Sequence, residues 1–427
     1  MHYDAIVIGA GIIGLSTAYH IKRKNPQKSI LVIEKESGLG FGATGKSAGC
    51  FQGFFKSEIS RKLAVSSIEF YKDIERMTEY NFKIRWTGFL WLLNEKQYEE
   101  IKKDLKEMKA YGTEHEIIDN EMLMKNLKVR INVKEDQDAK IIGLNNIHVG
   151  LLAKYAGTIS VESLLKFYEK EFMKLGGKII YNHKVNRIII EPRKPLNILE
   201  EPYYWQEKRI AGVEIDGKKI LANKTIIAAG GWTQKILDSI GVDSHIRPLK
   251  KNIYVIKAKN EKLKEILYAK GFNREGCMPF TIIPHPEVYV KPEIDEETFW
   301  IGHGLTLGNP FKVEREYSPD LKFYEKNIYP VLKCYFPQFK NTRPLNAWSS
   351  IYEVTTIDRQ PVIFEENDLI VVGGGSGYGI MKADAIGRIA SAVFSGDKWA
   401  KLYGDMEIKC SDLSIKHRRI EEEVFLL

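Results

Sequence analysis

The stretch from Asp4 to Lys24, DAIVIGAGIIGLSTAYHIKRK, constrains this chain more than any other part of it. A short apolar run, Asp4 to Ile8, meets Gly9-Ala-Gly11-Ile-Ile-Gly14, and apolar positions then recur at helical spacing from Ile12 to Lys24. Residues 30 to 34, ILVIE, read as a second buried strand. Strand, glycine turn, helix and strand make a βαβ unit, which implies parallel pairing with helices packed on the sheet. Gly9 permits the tight turn, Gly11 lets a pyrophosphate approach the backbone, and Gly14 allows close helix packing. The phosphates would rest at the helix N-terminus, which makes Ile12 and Ile13 candidate cofactor-binding residues. Glu34 lies twenty residues beyond Gly14, where a carboxylate can accept from a ribose hydroxyl pair and disfavours a 2′-phosphate. Lys35 flanks the same position.

At 427 residues the chain exceeds the size at which one core stops growing, so two interleaved domains are expected. Its net charge of +8 comes from 64 basic and 56 acidic residues scattered along the chain, which gives nucleic acid no footprint. Cys50, Cys277, Cys334 and Cys410 form no C-x-x-C pair, so neither a zinc site nor a disulfide framework is expected, and a reducing cytoplasm is the expected setting. The apolar stretch from Ala5 to Ala18 is too short to span a bilayer and lacks the charged lead of a signal peptide. Amphipathic helices are expected over 59–80, 94–111 and from Val161 to the glycines at 176 and 177. Buried strands are expected within 221–227 and over 369–373, the second followed by a helix to about Ser395. Residues 248–346 read as β-rich. The charged HRRIEEE segment near the end reads as a surface helix.

The fingerprint alone does not separate NAD from FAD; other segments do. Gly42-Ala-Thr-Gly-Lys-Ser-Ala-Gly49 is a small-residue stretch able to pass close to a flat ring system. Thr44, Lys46 and Ser47 there carry hydrogen-bonding groups beside Ala43 and Ala48. Gly373-Gly-Gly-Ser-Gly377-Tyr-Gly379 opens a second glycine turn and helix, whose positive N-terminal end suits the negative charge that a reduced flavin builds at N1 and its C2 carbonyl.

With those segments in place the sequence resembles the FAD-dependent amine and amino acid oxidoreductases that include D-amino acid oxidase, glycine oxidase, sarcosine oxidase and dimethylglycine dehydrogenase. The resemblance runs over nearly the whole chain. It rests on the N-terminal fingerprint, GATGKSAG, the AGTIS stretch from Ala156 to Ser160, the AAGGW turn from Ala228 to Trp232, the IYEVTTIDRQPVI run from Ile351 to Ile363, and GGGSGYG. It implies an α/β fold: a Rossmann-type FAD-binding domain of the glutathione-reductase-like kind, with an interleaved α+β substrate domain built on an antiparallel sheet. Residues 1–80, 151–245 and 347–427 are expected in the first, 81–150 and 246–346 in the second. By the same resemblance Ala229, Gly230, Trp232, Gly374, Gly377, Tyr378, Gly379, Ile380 and Met381 line the flavin, and the strand holding Val185 meets the adenine.

The departures matter as well. Lys46 stands where some relatives carry a flavin-linking histidine, and Ser350 where sarcosine oxidase carries a flavin-linking cysteine, so noncovalent FAD is expected. Cys50 is the alternative attachment point. Trp300 stands where sarcosine oxidase places a lysine over the flavin to promote reaction with oxygen, which favours a dehydrogenase over an oxidase.

The implied reaction is hydride transfer from the carbon bearing the amine of a sarcosine-, glycine- or proline-like substrate to flavin N5, giving an imine. No catalytic acid or base follows. Candidates for holding a substrate carboxylate are Tyr352, Lys251, Lys291 and His303; His285 and His148 are further histidines within the same argument. Asp358 and Arg359 read as a turn pair. The electron acceptor stays open between oxygen, a quinone and a protein, and a homo-oligomer or hetero-complex is open too. Two other readings stand beside this one. The stretch from Asn25 to Glu36 also resembles FAD-dependent 2-hydroxy acid dehydrogenases, and the chain could be a flavoprotein subunit of a larger electron-transfer complex.

Overall fold

Strand His2–Ile8 (β1) is buried from Ala5 onward, and Gly9 ends it with φ of 106°, in the region that a side chain would strain. A computed structural model describes residues 2–110, 112–284, 287–304, 307–313, 318–423 and 425. Helix Ile12–Lys24 (α1) follows, with Lys22, Arg23 and Lys24 in its last turn, where cations complement the helix dipole. Strand Ile30–Ile33 (β2) then lies parallel to β1. A β-carbon on Gly14 would sit 2.0 Å from the carbonyl oxygen of Gly9, so only glycine lets α1 pack this closely on the turn.

Helix Glu58–Met77 (α2) is capped by Ser57, whose hydroxyl accepts from the Ser60 amide. Strand Phe89–Leu93 (β3), helix Val161–Lys174 (α3) and strands Lys178–Ile180 (β4) and Lys218–Ile227 (β5) come next. The later part of the chain supplies strands Ile246–Lys257 (β6), Val288–Glu293 (β7), Thr298–His303 (β8), Asn346–Thr355 (β9) and Leu369–Gly373 (β10), and helix Gly379–Phe394 (α4).

Two eight-stranded sheets result. In the first, β10, β5, β1, β2 and β4 run parallel side by side. Val362–Glu366 adds an antiparallel edge beyond β10. Strands Lys208–Ile215 and Arg187–Pro192 branch from β5. The second sheet runs β9, β6, β8, β7, Phe280–Ile282, β3, Val149–Ala153 and Glu116–Ile118. It is antiparallel except where Phe280–Ile282 meets β3. The mixed α/β fold is therefore the expected one. Strand β9, from residues expected in the FAD-binding domain, pairs along ten residues with β6 of the second sheet.

The two ends of the chain are joined through α1 and α4. His20 Nε2 lies 2.7 Å from Asp384, which also accepts from Arg388 at 2.6 Å. Burial pushes the His20 pKa down. Against the same burial, His20 and Arg388 hold the Asp384 carboxyl below its usual range.

Three local expectations are corrected. Residues 416–423 form no helix; they run as a strap, and Glu421 and Glu423 accept from the amides of Ile59, Ser57 and Lys56 at the start of α2. A carboxylate gains more there than in an isolated helix, because those amides have no partner inside α2. Asp358 pairs with Arg418 of the strap at 2.6 Å, both side chains almost fully buried, rather than with Arg359. Val185 lies in the loop between β4 and Arg187–Pro192, not on a strand. Among the described residues no helix is long and apolar enough to cross a membrane.

Candidate active site and its cofactor cavity

A cavity of about 710 Å³ runs between the two sheets, a volume in the range of cofactor and ligand sites. One end belongs to the βαβ unit. Glu34 lines it, and its carboxylate is pinned by two backbone amides, Ala10 at 2.8 Å and Glu36 at 3.0 Å. Val185, in the loop beside it, lines the same end, where Lys35 places its ammonium 4.0 Å from the centre of the Trp232 ring.

Along the middle run Gly9, Gly11, Ile12 and Ile13 at the N-terminus of α1, with Ala229, Gly230 and Trp232 from the turn after β5. A β-carbon on Gly9 would lie 2.5 Å from the Ala228 carbonyl oxygen, so the turn leaves room for backbone only. Gly42, Ala43, Thr44, Ser47 and Ala48 form the opposite side. Thr44 accepts from the Ile12 amide at 3.2 Å, which ties this small-residue segment to the helix start, and Ser47 accepts from the Gly49 amide at 3.0 Å within the segment. Gly377, Tyr378, Gly379, Ile380 and Met381 bring the first turn of α4 to the wall.

The other end is built by the second sheet. Phe89, Phe280 and Tyr289 stack in a row, with ring centres 4.4 Å and 5.0 Å apart. Tyr352, His303 and Lys251 complete that end, and Cys50 faces it from the strand after the GATGKSAG segment. Lys251 donates to the carbonyls of Gly304 at 2.8 Å and His303 at 3.3 Å. Burial lowers its pKa to about 8, with Arg359 adding to the effect and Glu287 opposing it. Burial lowers His303 to about 4, so its ring is neutral near pH 7; its Nδ1 has no hydrogen-bond partner. Burial raises the Tyr352 hydroxyl and the Cys50 thiol, each to about 12. A neutral thiol is a poor nucleophile.

Four sequence candidates lie off the cavity wall. Gly14 serves helix packing, as its place in the fingerprint requires. Gly374, with φ of 75°, shapes the turn behind the wall. Lys46 contributes only its carbonyl, which accepts from Trp348 Nε1 at 2.9 Å. Lys291 is buried, bonded to Glu293 at 2.7 Å and stacked 4.0 Å from the centre of the Trp300 ring. The position read as lacking a cation therefore has one directly against it. Ser350 is buried and off the wall as well. His148 is exposed and does not line the cavity, and His285 lies outside the described residues. The sequence reading missed Glu353 and the Phe89, Phe280 and Tyr289 row, which only strand pairing brings together.

The residues present fit FAD. A backbone-only turn meets a helix N-terminus, a pinned carboxylate stands at one end, and a second helix N-terminus stands beside an aromatic and cationic end. Unpartnered polar atoms mark the same region: His303 Nδ1, and both side-chain amide atoms of the fully buried Gln52, whose backbone amide contacts the Met381 sulfur.

Known proteins agree with this geometry. Residues 4–393 match the family described as DAO, FAD dependent oxidoreductase. The chain is 23% identical over 434 residues to FAD-dependent oxidoreductase domain-containing protein 1 of Bos taurus, covering 92% of this chain and 81% of that protein. It is 20% identical over 439 residues to monomeric sarcosine oxidase of Bacillus sp. (strain B-0618), covering 99% and 98%. The crystal structure of L-proline dehydrogenase from P. horikoshii superposes with a TM-score of 0.72 at 20% identity, covering 92% of this chain and 94% of that one. With fingerprint, cavity and family match in agreement over most of its length, the chain belongs to the DAO family of FAD-dependent oxidoreductases.

Proposed function

We propose that this protein oxidises a small amine or amino acid carrying a carboxylate, of the sarcosine, glycine or proline type, to an imine, with noncovalently held FAD as the electron acceptor. The observation that carries the reading is the convergence of Lys251, Tyr352 and His303 on the end of the cavity opposite Glu34. Bound FAD would supply the two-electron acceptor for the substrate C–H bond.

The chain's own residues supply the rest. The Lys251 ammonium lines this end of the cavity, where a substrate carboxylate can accept a charged hydrogen bond from it. Tyr352 offers a neutral hydroxyl beside it. The stacked Phe89, Phe280 and Tyr289 give an apolar face that excludes water and suits a small side chain. Noncovalent attachment is supported by the buried Ser350 and by the neutral Cys50 thiol. As for the acceptor, the argument for a dehydrogenase from a missing cation weakens, because Lys251 puts a cation on the cavity wall, while Lys291 lies against Trp300 off the wall and is paired with Glu293. Oxygen, a quinone and a protein therefore stay as alternatives for assay.

The test is dye-linked turnover of the FAD-loaded protein with matched substrates that keep or lack a carboxylate, alongside 2-hydroxy acids. Turnover of the carboxylate-bearing amines alone is expected. Turnover of 2-hydroxy acids and not of amines would replace this reading. Acid precipitation should leave the yellow colour in the supernatant; colour that stays with the pellet contradicts noncovalent binding.

A further inference from the structure

Glu353 follows Tyr352 on β9 and lines the cavity. Its carboxylate lies against the glycine turn that leads into α4. Oε1 accepts from the Gly375 amide at 3.3 Å, and a β-carbon on Gly373 would come within 2.8 Å of Oε2. The turn is therefore shaped around this carboxylate, and what the side chain leaves exposed adjoins the cavity.

No cation pairs with it among the described residues. On β6, the partner strand, Arg247 is turned to Asp243 at 3.1 Å and Lys251 to the His303 and Gly304 carbonyls. From α4, Lys382 donates to Ser60 and Gln360. Tyr352, the preceding residue on β9, and Tyr289 on the cavity wall are held neutral by burial. Burial dominates and raises the Glu353 pKa to about 7, against the opposing pull of the Gly375 and Gly374 amides. An acid built this way changes charge when a neighbour does.

We propose that Glu353 is a proton-holding group of the redox site, taking up one solvent proton when two electrons and a proton enter the bound FAD and releasing it when they leave. The inference rests on FAD occupying this cavity and on nothing about the substrate. Two electrons and one proton add one negative charge to the cofactor; the second proton forms the O–H bond of Glu353. The pair then keeps its total charge, and the low-dielectric cavity never holds two adjacent anions. The uptake is confined to pH values above about 7, because below that Glu353 is already protonated with the cofactor oxidised.

The test is the reduction potential of the bound FAD from about pH 6 to about pH 9, by equilibration with reference dyes and without substrate, in wild type, Glu353→Gln and Glu353→Asp. Expected is agreement between wild type and Glu353→Gln near pH 6. Above about pH 7 the wild-type line should steepen by one proton per two electrons, about 30 mV per tenfold change in proton activity. Glu353→Asp should keep the steeper limb with a displaced break. Parallel lines for wild type and Glu353→Gln overturn the inference. If Glu353→Gln fails to hold FAD, a wild-type line no steeper above pH 7 than below it overturns the inference by itself. A wild-type protein that binds no FAD overturns the cofactor reading first, and is told apart from these by its missing colour.

Discussion

Lys251 and Lys291 show how far single residues could be read. Both are lysines on strands of one sheet, both are buried, and both were candidates for holding a carboxylate. Lys251 reaches the cavity; Lys291 does not. Tyr289, two residues earlier on the same face of β7, does line it, so Lys291 falls one pleat repeat beyond the wall, about 7 Å along the strand, where Glu293 takes its charge. Alternation says which residues share a face, but not where along that face a cavity ends. Lys251→Met should therefore raise the KM for a carboxylate-bearing amine by about 10- to 100-fold, the scale of one charged hydrogen bond, with a much smaller effect on an amine lacking the carboxylate. Steady-state kinetics on the matched pair decides it. The sign of the pH effect also follows. The ammonium is present below about pH 8 and is lost as pH rises through that value, so the wild-type KM for the carboxylate substrate should climb there, while Lys251→Met shows no such rise.

At the scale of elements, the strand, glycine turn and helix from His2 to Lys24 were legible because periodicity changes at three glycines with separate geometric duties. Gly14→Ala should drive α1 off the Gly9 carbonyl, costing about 1–3 kcal/mol as overpacking does and weakening FAD binding. Denaturant unfolding with a flavin fluorescence titration would show both losses. An unchanged FAD affinity would mean that the turn tolerates more than its 2.0 Å approach allows. The final segment was misread for a physical reason. Arginines three and four residues ahead of glutamates suit a solvated helix, yet here Glu421 and Glu423 serve the unpaired amides at the start of α2, more than 350 residues away. Asp358 was misassigned in the same way, since its partner Arg418 is distant in the chain. Arg418→Met strands a buried carboxylate and should cost about 3–5 kcal/mol of stability, measured as a lower urea midpoint. A shift within that of a surface substitution would contradict the pairing.

For the whole molecule, the two-layer plan and the cofactor cavity were legible because the FAD-facing segments are short, local and rich in glycine. The substrate end was not. Its polar residues Lys251, His303 and Tyr352 were named one by one, but the Phe89, Phe280 and Tyr289 row that completes it comes from strands whose pairing depends on long-range register. Local periodicity carries no register, so nothing in it says that β9 pairs with β6. Glu353 sits on that strand and escaped notice with it. The cavity joins a legible half to an illegible half, and the central claim concerns both at once: FAD held by the first sheet receives electrons from an amine held by the second.

The most direct measurement is anaerobic mixing of the FAD-loaded protein with sarcosine, glycine, proline and 2-hydroxy acids while the visible flavin band is followed. Bleaching by at least one of the carboxylate-bearing amines, absent or at least tenfold slower at equal concentration in Lys251→Met, is the predicted result. A band that no amine bleaches, or that only a 2-hydroxy acid bleaches, would contradict the account.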